Sequence, residues 1–223
     1  GHQVLTTIVI VNYKAPELEK RCLASVRRYT SSAEYRLAVV DNSVENRPLA
    51  EIWDEEFDQA FASGSESAVL LNTDCFVTQN WLTWLKAVLV LDKEVGAVGP
   101  VTNACGNTFQ LVDRVDPNGG ILVNHPLSAF CMLIRAEAWR AVGGFPRGGP
   151  FYGQDTAFVY RLLSNGWKTA IVPRCFVTHL GSASLKAAEM RGEANMEGER
   201  RMGEEGYRRF TQRGAPAQDT ADH

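Results

Sequence analysis

Three carboxylates and one imidazole stand where this chain could do chemistry. Asp41 closes the run Arg36-Leu37-Ala38-Val39-Val40, and Asp74 closes Ala68-Val69-Leu70-Leu71-Asn72-Thr73. Asp155 follows Gly153-Gln154 at the start of a helical pattern, and His179 ends Cys175-Phe176-Val177-Thr178. In open α/β sheets ligands bind beyond the carboxyl ends of the strands, where an acid can accept hydrogen bonds from a nucleobase or ribose. Carboxylate oxygens also hold hard divalent cations, and a histidine paired with an aspartate turn becomes a candidate metal ligand. An acid in the first turn of a helix, beneath the glycine-rich Phe145-Pro146-Arg147-Gly148-Gly149-Pro150, can serve as a general base. Each has a plainer role beside it. Asn72 and Asp74 can make a tight turn and cap the next helix, Asp41 can be a turn residue, and the helix dipole favours Asp155 in a first turn. A lone histidine at a strand end can be purely structural.

The elements that must position these residues follow from the apolar pattern. Thr6-Thr7-Ile8-Val9-Ile10-Val11 is a β-branched run closing on Asn12-Tyr13, which reads as a buried strand. Pro16 opens a helix with Leu18, Cys22, Val26 and Tyr29 on one stripe, and residues 36–40 form the next strand. Strand, helix and strand make a right-handed βαβ unit. Residues 68–71 read as a further buried strand, followed by a helical pattern from Gln79 to Leu91, then a strand at Val95–Pro100. Asn103 to Asn124 shows little periodicity and is expected to be an irregular excursion on the acceptor side. Phe130–Ile134 is a strand, Glu137–Val142 a short helix, and Phe158, Val159, Leu162 and Leu163 form the inner face of the helix begun by Asp155. Lys168–Pro173 and Cys175–Thr178 run extended. Acidic residues 44–67 are expected to be a solvated connection; Ile52, Trp53, Phe57 and Phe61 permit a short helix, and a mobile flap is the functional alternative.

Composition narrows the classes. The 223 residues suit one α/β domain, 45% hydrophobic and 22% charged, with a net charge of −3 that does not favour phosphate backbones. Five dispersed cysteines form no CxxC pair, which argues against a zinc site or a disulfide framework and for free buried thiols in a reducing compartment. No apolar run reaches the roughly 18 residues of a membrane span, and no signal-peptide pattern occurs.

In their order and spacing these pieces resemble the family 2 glycosyltransferases, nucleotide-sugar enzymes of the GT-A fold, and within them the rhamnosyltransferase-like group. The likeness rests on Ile8–Tyr13, Val39–Ser43, Leu70–Asp74, Cys131–Arg135, Ala138-Trp139, Val142–Phe145, Gly153–Phe158 with Arg161-Leu162, Gly166-Trp167 and His179–Ser182. It implies a Rossmann-like, mixed and mostly parallel sheet flanked by helices across residues 1–185; the charge pattern of 186–213 reads as a helical extension, and 214–223 is expected to be a disordered tail. The resemblance implies that Asp155 is the base of an inverting transfer, that Asn12, Asp41 and Asn72 contact the donor, and that Asp74 and His179 bind a divalent metal on the diphosphate. Asn72 stands in place of the first aspartate of the family's Asp-x-Asp motif, and Gln154 in place of the glutamate of its Glu-Asp pair. The interval from Asp41 to Asp74 is short for the family, which leaves donor contacts from 44–67 open.

The expected cofactor is Mn²⁺ or Mg²⁺, with imidazole tilting the choice to Mn²⁺, and the expected donor is a UDP-, dTDP- or GDP-sugar. The acceptor hydroxyl is left open among glycan, lipid-linked glycan, protein and modified nucleic acid. Lys186 to Arg213 carries seven basic and six acidic residues, read as a solvated helix face, with an acceptor-binding helix or peripheral contact to the inner membrane face as the alternatives for an otherwise cytoplasmic protein. Two competing functions are a nucleotidyltransferase-like enzyme and a non-catalytic nucleotide-sugar-binding module. The first lacks a glycine in Asn12–Pro16 to cradle phosphate, and retention of Asp74, Asp155 and His179 together argues against the second.

Overall fold

A computed structural model of the chain describes residues 5–146 and 154–181. The β-branched run forms β1 (Thr6–Asn12), followed by α1 (Pro16–Tyr29), β2 (Tyr35–Asp41), α2 (Leu49–Ala62) and β3 (Ser67–Leu71). Next come β4 (Cys75–Val77), α3 (Trp81–Leu91), β5 (Val95–Val101), β6 (Leu122–Val123) and β7 (Cys131–Arg135). The described chain closes with α4 (Ala136–Val142), α5 (Gln154–Ser164) and β8 (Lys168–His179). The charged extension and tail expected after residue 185 lie outside the described residues, as do Arg147–Gly153.

The strands join in the order β2-β1-β3-β7-β5-β8-β4, with β6 on β8. β1 is parallel to β2 and β3, while β3 and β5 are both antiparallel to β7. β5 therefore points the same way as β3, and β8, parallel to β5, follows it. The carboxyl ends of β1, β2, β3, β5 and β8 thus share one rim, joined there by the start of the reversed β7. The sheet is mixed, and mostly parallel by strand direction; β4, β6 and β7 are the reversed members. β4 and β6 are too short to write an apolar period of their own, so the sequence does not announce them.

Side chains alternate across the sheet with period two. Ile8, Ile10, Val69 and Leu71 pack on one face under α1 and α3, with Cys22, Trp81 and Leu85. Val9, Ala68 and Leu70 pack on the other under α2, α4 and α5, with Phe57, Trp139 and Phe158. In β8 the register to β5 shifts between Pro100↔Val172 and Val101↔Phe176, so Pro173-Arg174-Cys175 bulges where the sequence breaks the extended run.

The segment 44–67 corrects the sequence reading. It is mainly the 14-residue helix α2, with Ala50, Ile52, Trp53, Asp54, Phe57, Ala60 and Phe61 buried, and not a solvated connection. Two of its acids serve the interior. Asp54 Oδ1 accepts the Phe145 N–H at 2.8 Å, and Asp58 Oδ1 accepts the Trp139 Nε1–H at 2.8 Å. Phe57 lies 4.7 Å from Trp139 and Phe145 4.5 Å from Phe158, centroid to centroid, so α2 fastens α4 and α5 in place. Its acidity had suggested water as the partner; indole and amide donors supplied by distant chain took that place.

Candidate active site

The register pairs Asn12 with Asp41 at the ends of β1 and β2. Buried Asn12 accepts the Ala15 N–H on its Oδ1 at 3.1 Å, shaping the turn into α1, and its carbonyl accepts the Asn42 N–H at 2.8 Å. Asp41 is exposed and accepts the Ser43 N–H on Oδ1 at 3.0 Å. The Ser43 hydroxyl, then the Ser43 amide, holds its carboxyl below the ordinary value. Asp41 is a turn residue and an accessible carboxylate together.

Asp74 hangs from a tight turn in which the Cys75 N–H donates to the Asn72 carbonyl at 3.1 Å, while the Asn72 N–H donates to Phe130 O at 3.0 Å. Asp74 does not cap the following helix, because β4 intervenes and Asn80 is the N-cap of α3. β4 instead pairs Cys75 with His179, bringing two residues far apart in sequence to one place. His179 Nε2 lies 3.3 Å from Asp74 Oδ2, with both residues buried.

The other ring nitrogen decides the chemistry. His179 Nδ1 lies 2.5 Å from Ala104 O. A carbonyl oxygen only accepts, so Nδ1 carries the hydrogen, and in the neutral ring Nε2 presents a lone pair to a carboxylate oxygen. Two electron-rich atoms facing one another need a cation between them or a second proton on the ring. A histidine whose other N–H is taken by a backbone carbonyl is the usual arrangement of a metal ligand. Phe130 stacks on the imidazole at 5.2 Å, further fixing its plane. The residues present therefore fit a divalent cation held by carboxylate and imidazole. Among the described residues, Cys75 joins these two within 4.8 Å. Burial, then the Asp74 charge, pushes its thiol well above its ordinary value, and its Sγ lies 3.4 Å from Phe130 O and 4.0 Å from Asp74 Oδ1.

Asp155 stands in the first turn of α5. Its Oδ2 accepts the Ala129 N–H at 3.0 Å and its Oδ1 the Thr156 N–H at 2.8 Å. Burial nevertheless raises its carboxyl above the ordinary value, outweighing those hydrogen bonds. Ala129 adjoins Phe130, which covers His179, and Cys105, which feels the Asp155 charge, adjoins Ala104. Asp155 and the Asp74–His179 pair thus flank the same two stretches of backbone. Asp41 sits farther along the rim, two strands from the Asp74 turn, roughly 10 Å by strand spacing. Gln154 is buried at the helix start, and the side chain of Asn72 is half-buried.

Sequence reasoning missed Asn103, Ala104 and Gln110, which brace this site from the aperiodic stretch, and Phe130, which it placed only as the start of a strand. Two of them act through a backbone carbonyl or a ring face, for which no residue-type signal exists. A separate concavity of about 790 Å³ lies at the far end of α1 and includes Arg27, Arg28, Tyr29, Tyr35 and Asn80. Its arginines occupy a last helical turn, where the dipole favours cations, and its lining includes none of the candidate donor, metal or base residues.

No family model matches the sequence, and no curated protein matches it. Solved structures do. GalNAc-T7, in a crystal structure with UDP, GalNAc and Mn²⁺, is similar over 80% of this chain and 44% of its own, at 17% identity and a TM-score of 0.58. The mannosyltransferase PcManGT from Pyrobaculum calidifontis, in complex with GDP-Man and Mn²⁺, is similar over 78% of this chain and 56% of its own, at 17% identity and a TM-score of 0.59. Residues 1–349 of S. aureus TarS are similar over 77% of this chain and 59% of that one, at 14% identity and a TM-score of 0.59. At such identities the likeness shows the fold, which is α/β and GT-A-like, a mixed sheet flanked by helices. The chain spans about half the length of these structures. Among the described residues no helix is long and apolar enough to cross a membrane.

Proposed function

We propose that this chain is a glycosyltransferase that moves a sugar from a nucleoside diphosphate to an acceptor hydroxyl, with inversion and with the help of a divalent cation. The observation that carries the reading is His179, its Nδ1–H committed to Ala104 O and its Nε2 turned to Asp74 at 3.3 Å, at the strand-end rim of a GT-A-like sheet. GalNAc-T7 and PcManGT, whose structures contain Mn²⁺ with UDP or GDP-Man, add support.

Asp74 and His179 would hold the cation, which neutralises charge on the diphosphate oxygens of the departing nucleotide when bound. Asp41, exposed at the end of β2, accepts hydrogen bonds from the nucleoside, and Asn12 and Asn72 line the strand ends between it and the diphosphate. Asp155 takes the acceptor proton. Its carboxyl is raised by burial, which makes it a stronger base than an ordinary carboxylate. Base and departing diphosphate on opposite sides of the anomeric carbon give a single displacement with inverted configuration. A family 2 assignment and the rhamnosyltransferase-like group belong to the same proposal and rest on the motifs alone.

A screen of UDP-, GDP- and dTDP-sugars for Mn²⁺-dependent hydrolysis and transfer tests this reading. One donor class should turn over, lose activity with a chelator and lose it in Asp74→Asn. Turnover indifferent to the metal, or no response to any nucleotide sugar, would overturn it. The anomeric configuration of the product, read by NMR, tests inversion separately.

A further inference from the structure

Both ends of the candidate chemistry are fastened to one segment of chain, residues 102–129, which runs from the end of β5 to the start of β7. Near its start, Asn103 grips the backbone of His179 twice: Nδ2 donates to the His179 carbonyl at 3.0 Å, and Oδ1 accepts the His179 N–H at 2.9 Å. Ala104, next in line, supplies the carbonyl that holds the imidazole. At its far end the Ala129 N–H holds Asp155. Between them lies Gln110, fully buried, whose Nε2 donates to Pro100 O at 2.9 Å. Its Oε1 accepts the Ser128 N–H at 2.8 Å and an Asn107 Nδ2–H at 2.9 Å. The backbone of Thr102 is tied to the same place, its N–H donating to Gln110 O at 2.8 Å. Gly99 makes room for this hub, since a Cβ there would stand 2.6 Å from Gln110 Nε2.

We propose that residues 102–129 act as one clamp that sets the spacing between the cation-holding pair and the base, with Asn103 the positioning residue for His179 and Gln110 the positioning residue for Asp155. The inference rests on the function proposed above. It divides the labour in a way that a general packing role does not. Loss of Asn103 loosens the metal ligand and leaves the base in place; loss of Gln110 does the reverse.

Isothermal titration of Mn²⁺ into the full chain with saturating UDP, GDP or dTDP, whichever the donor screen selects, reads one half. The transfer kcat at saturating Mn²⁺ reads the other. Asn103→Ala should weaken Mn²⁺ binding about 10–100-fold, the usual effect of removing a partner that orients a ligand, with kcat at saturation within about two-fold by this argument. Asn103→Asp, which keeps the acceptor for the His179 N–H, should recover part of the affinity. Gln110→Met should lower kcat about ten-fold and leave Mn²⁺ affinity unchanged, and Gly99→Ala should reproduce it by displacing Nε2. Unchanged Mn²⁺ affinity in Asn103→Ala, or parallel losses of affinity and kcat in all four variants, would overturn the clamp. Asp74→Asn and Asp155→Asn measured alongside separate this from failure of the underlying function. If those two behave as wild type, the function is wrong; if they fail as expected and the clamp variants do not divide, only the clamp is wrong.

Discussion

Mn²⁺ added with nucleoside diphosphate should raise the melting temperature of this chain, and Asp74→Asn should erase most of the rise. The two candidate ligands are 4% and 8% exposed and are brought together by the pairing of β4 with β8, so the site does not exist in the unfolded chain. A ligand that binds only the folded state at a hundred times its dissociation constant stabilises by about 2.7 kcal/mol. For 223 residues, 1 kcal/mol corresponds to roughly 2–4 °C, giving a rise of about 5–11 °C. Asp74→Asn exchanges a charged oxygen for a neutral amide in front of His179 Nε2. If affinity falls about 100-fold, the same Mn²⁺ concentration equals the new dissociation constant and the stabilisation drops to about 0.4 kcal/mol, or about 1–2 °C. Differential scanning fluorimetry of both proteins, with and without chelator, measures the difference. His179→Phe serves as the companion, because it keeps a ring against Phe130 while removing both nitrogens. An equal rise in wild type and Asp74→Asn would show that other donors hold the cation and would refute the reasoning from the imidazole geometry.

Asp155→Asn should lower transfer about 10²–10⁴-fold while the Mn²⁺-dependent melting shift survives; loss of that shift would make Asp155 a structural anchor for Ala129. Because burial raises the Asp155 carboxyl, the base is lost as pH falls through a value above that of an ordinary aspartate, so the acid limb of kcat/KM should lie above the ordinary aspartate value and disappear in Asp155→Asn. A limb at or below the ordinary aspartate value would contradict this. Gly144→Ala should destabilise the fold by about 2.5–5 kcal/mol, from about 1–2 for a left-handed φ and about 1.5–3 for a charged hydrogen bond broken at Asp54. Gly144 has φ +79, and a Cβ there would meet Asp54 Oδ1 at 2.6 Å and Trp139 at 3.0 Å. A urea midpoint corresponding to less than about 1 kcal/mol would show that Asp54 can retreat without loss.

What the chain spells locally, it spells well. The runs at residues 6–11 and 68–71 are apolar because both faces of a central strand are covered, the run at 36–40 forms the half-covered edge strand β2, and each stops at a polar residue because the strand stops there. That is why Asn12, Asp41, Asp74 and His179 could be placed at strand ends, and Asp155 at a helix start, from residue types alone. Segment 44–67 was misread because Asp54 and Asp58 look solvated until Phe145 and Trp139, more than eighty positions away, arrive as donors. The reversed direction of β7, the short β4 that carries Asp74 to His179 and the carbonyl of Ala104 that selects the imidazole tautomer were settled by tertiary structure alone. Apolar periodicity reports how each segment meets a core, whereas the partner of a particular nitrogen or carboxylate depends on which distant backbone the packed core sets beside it.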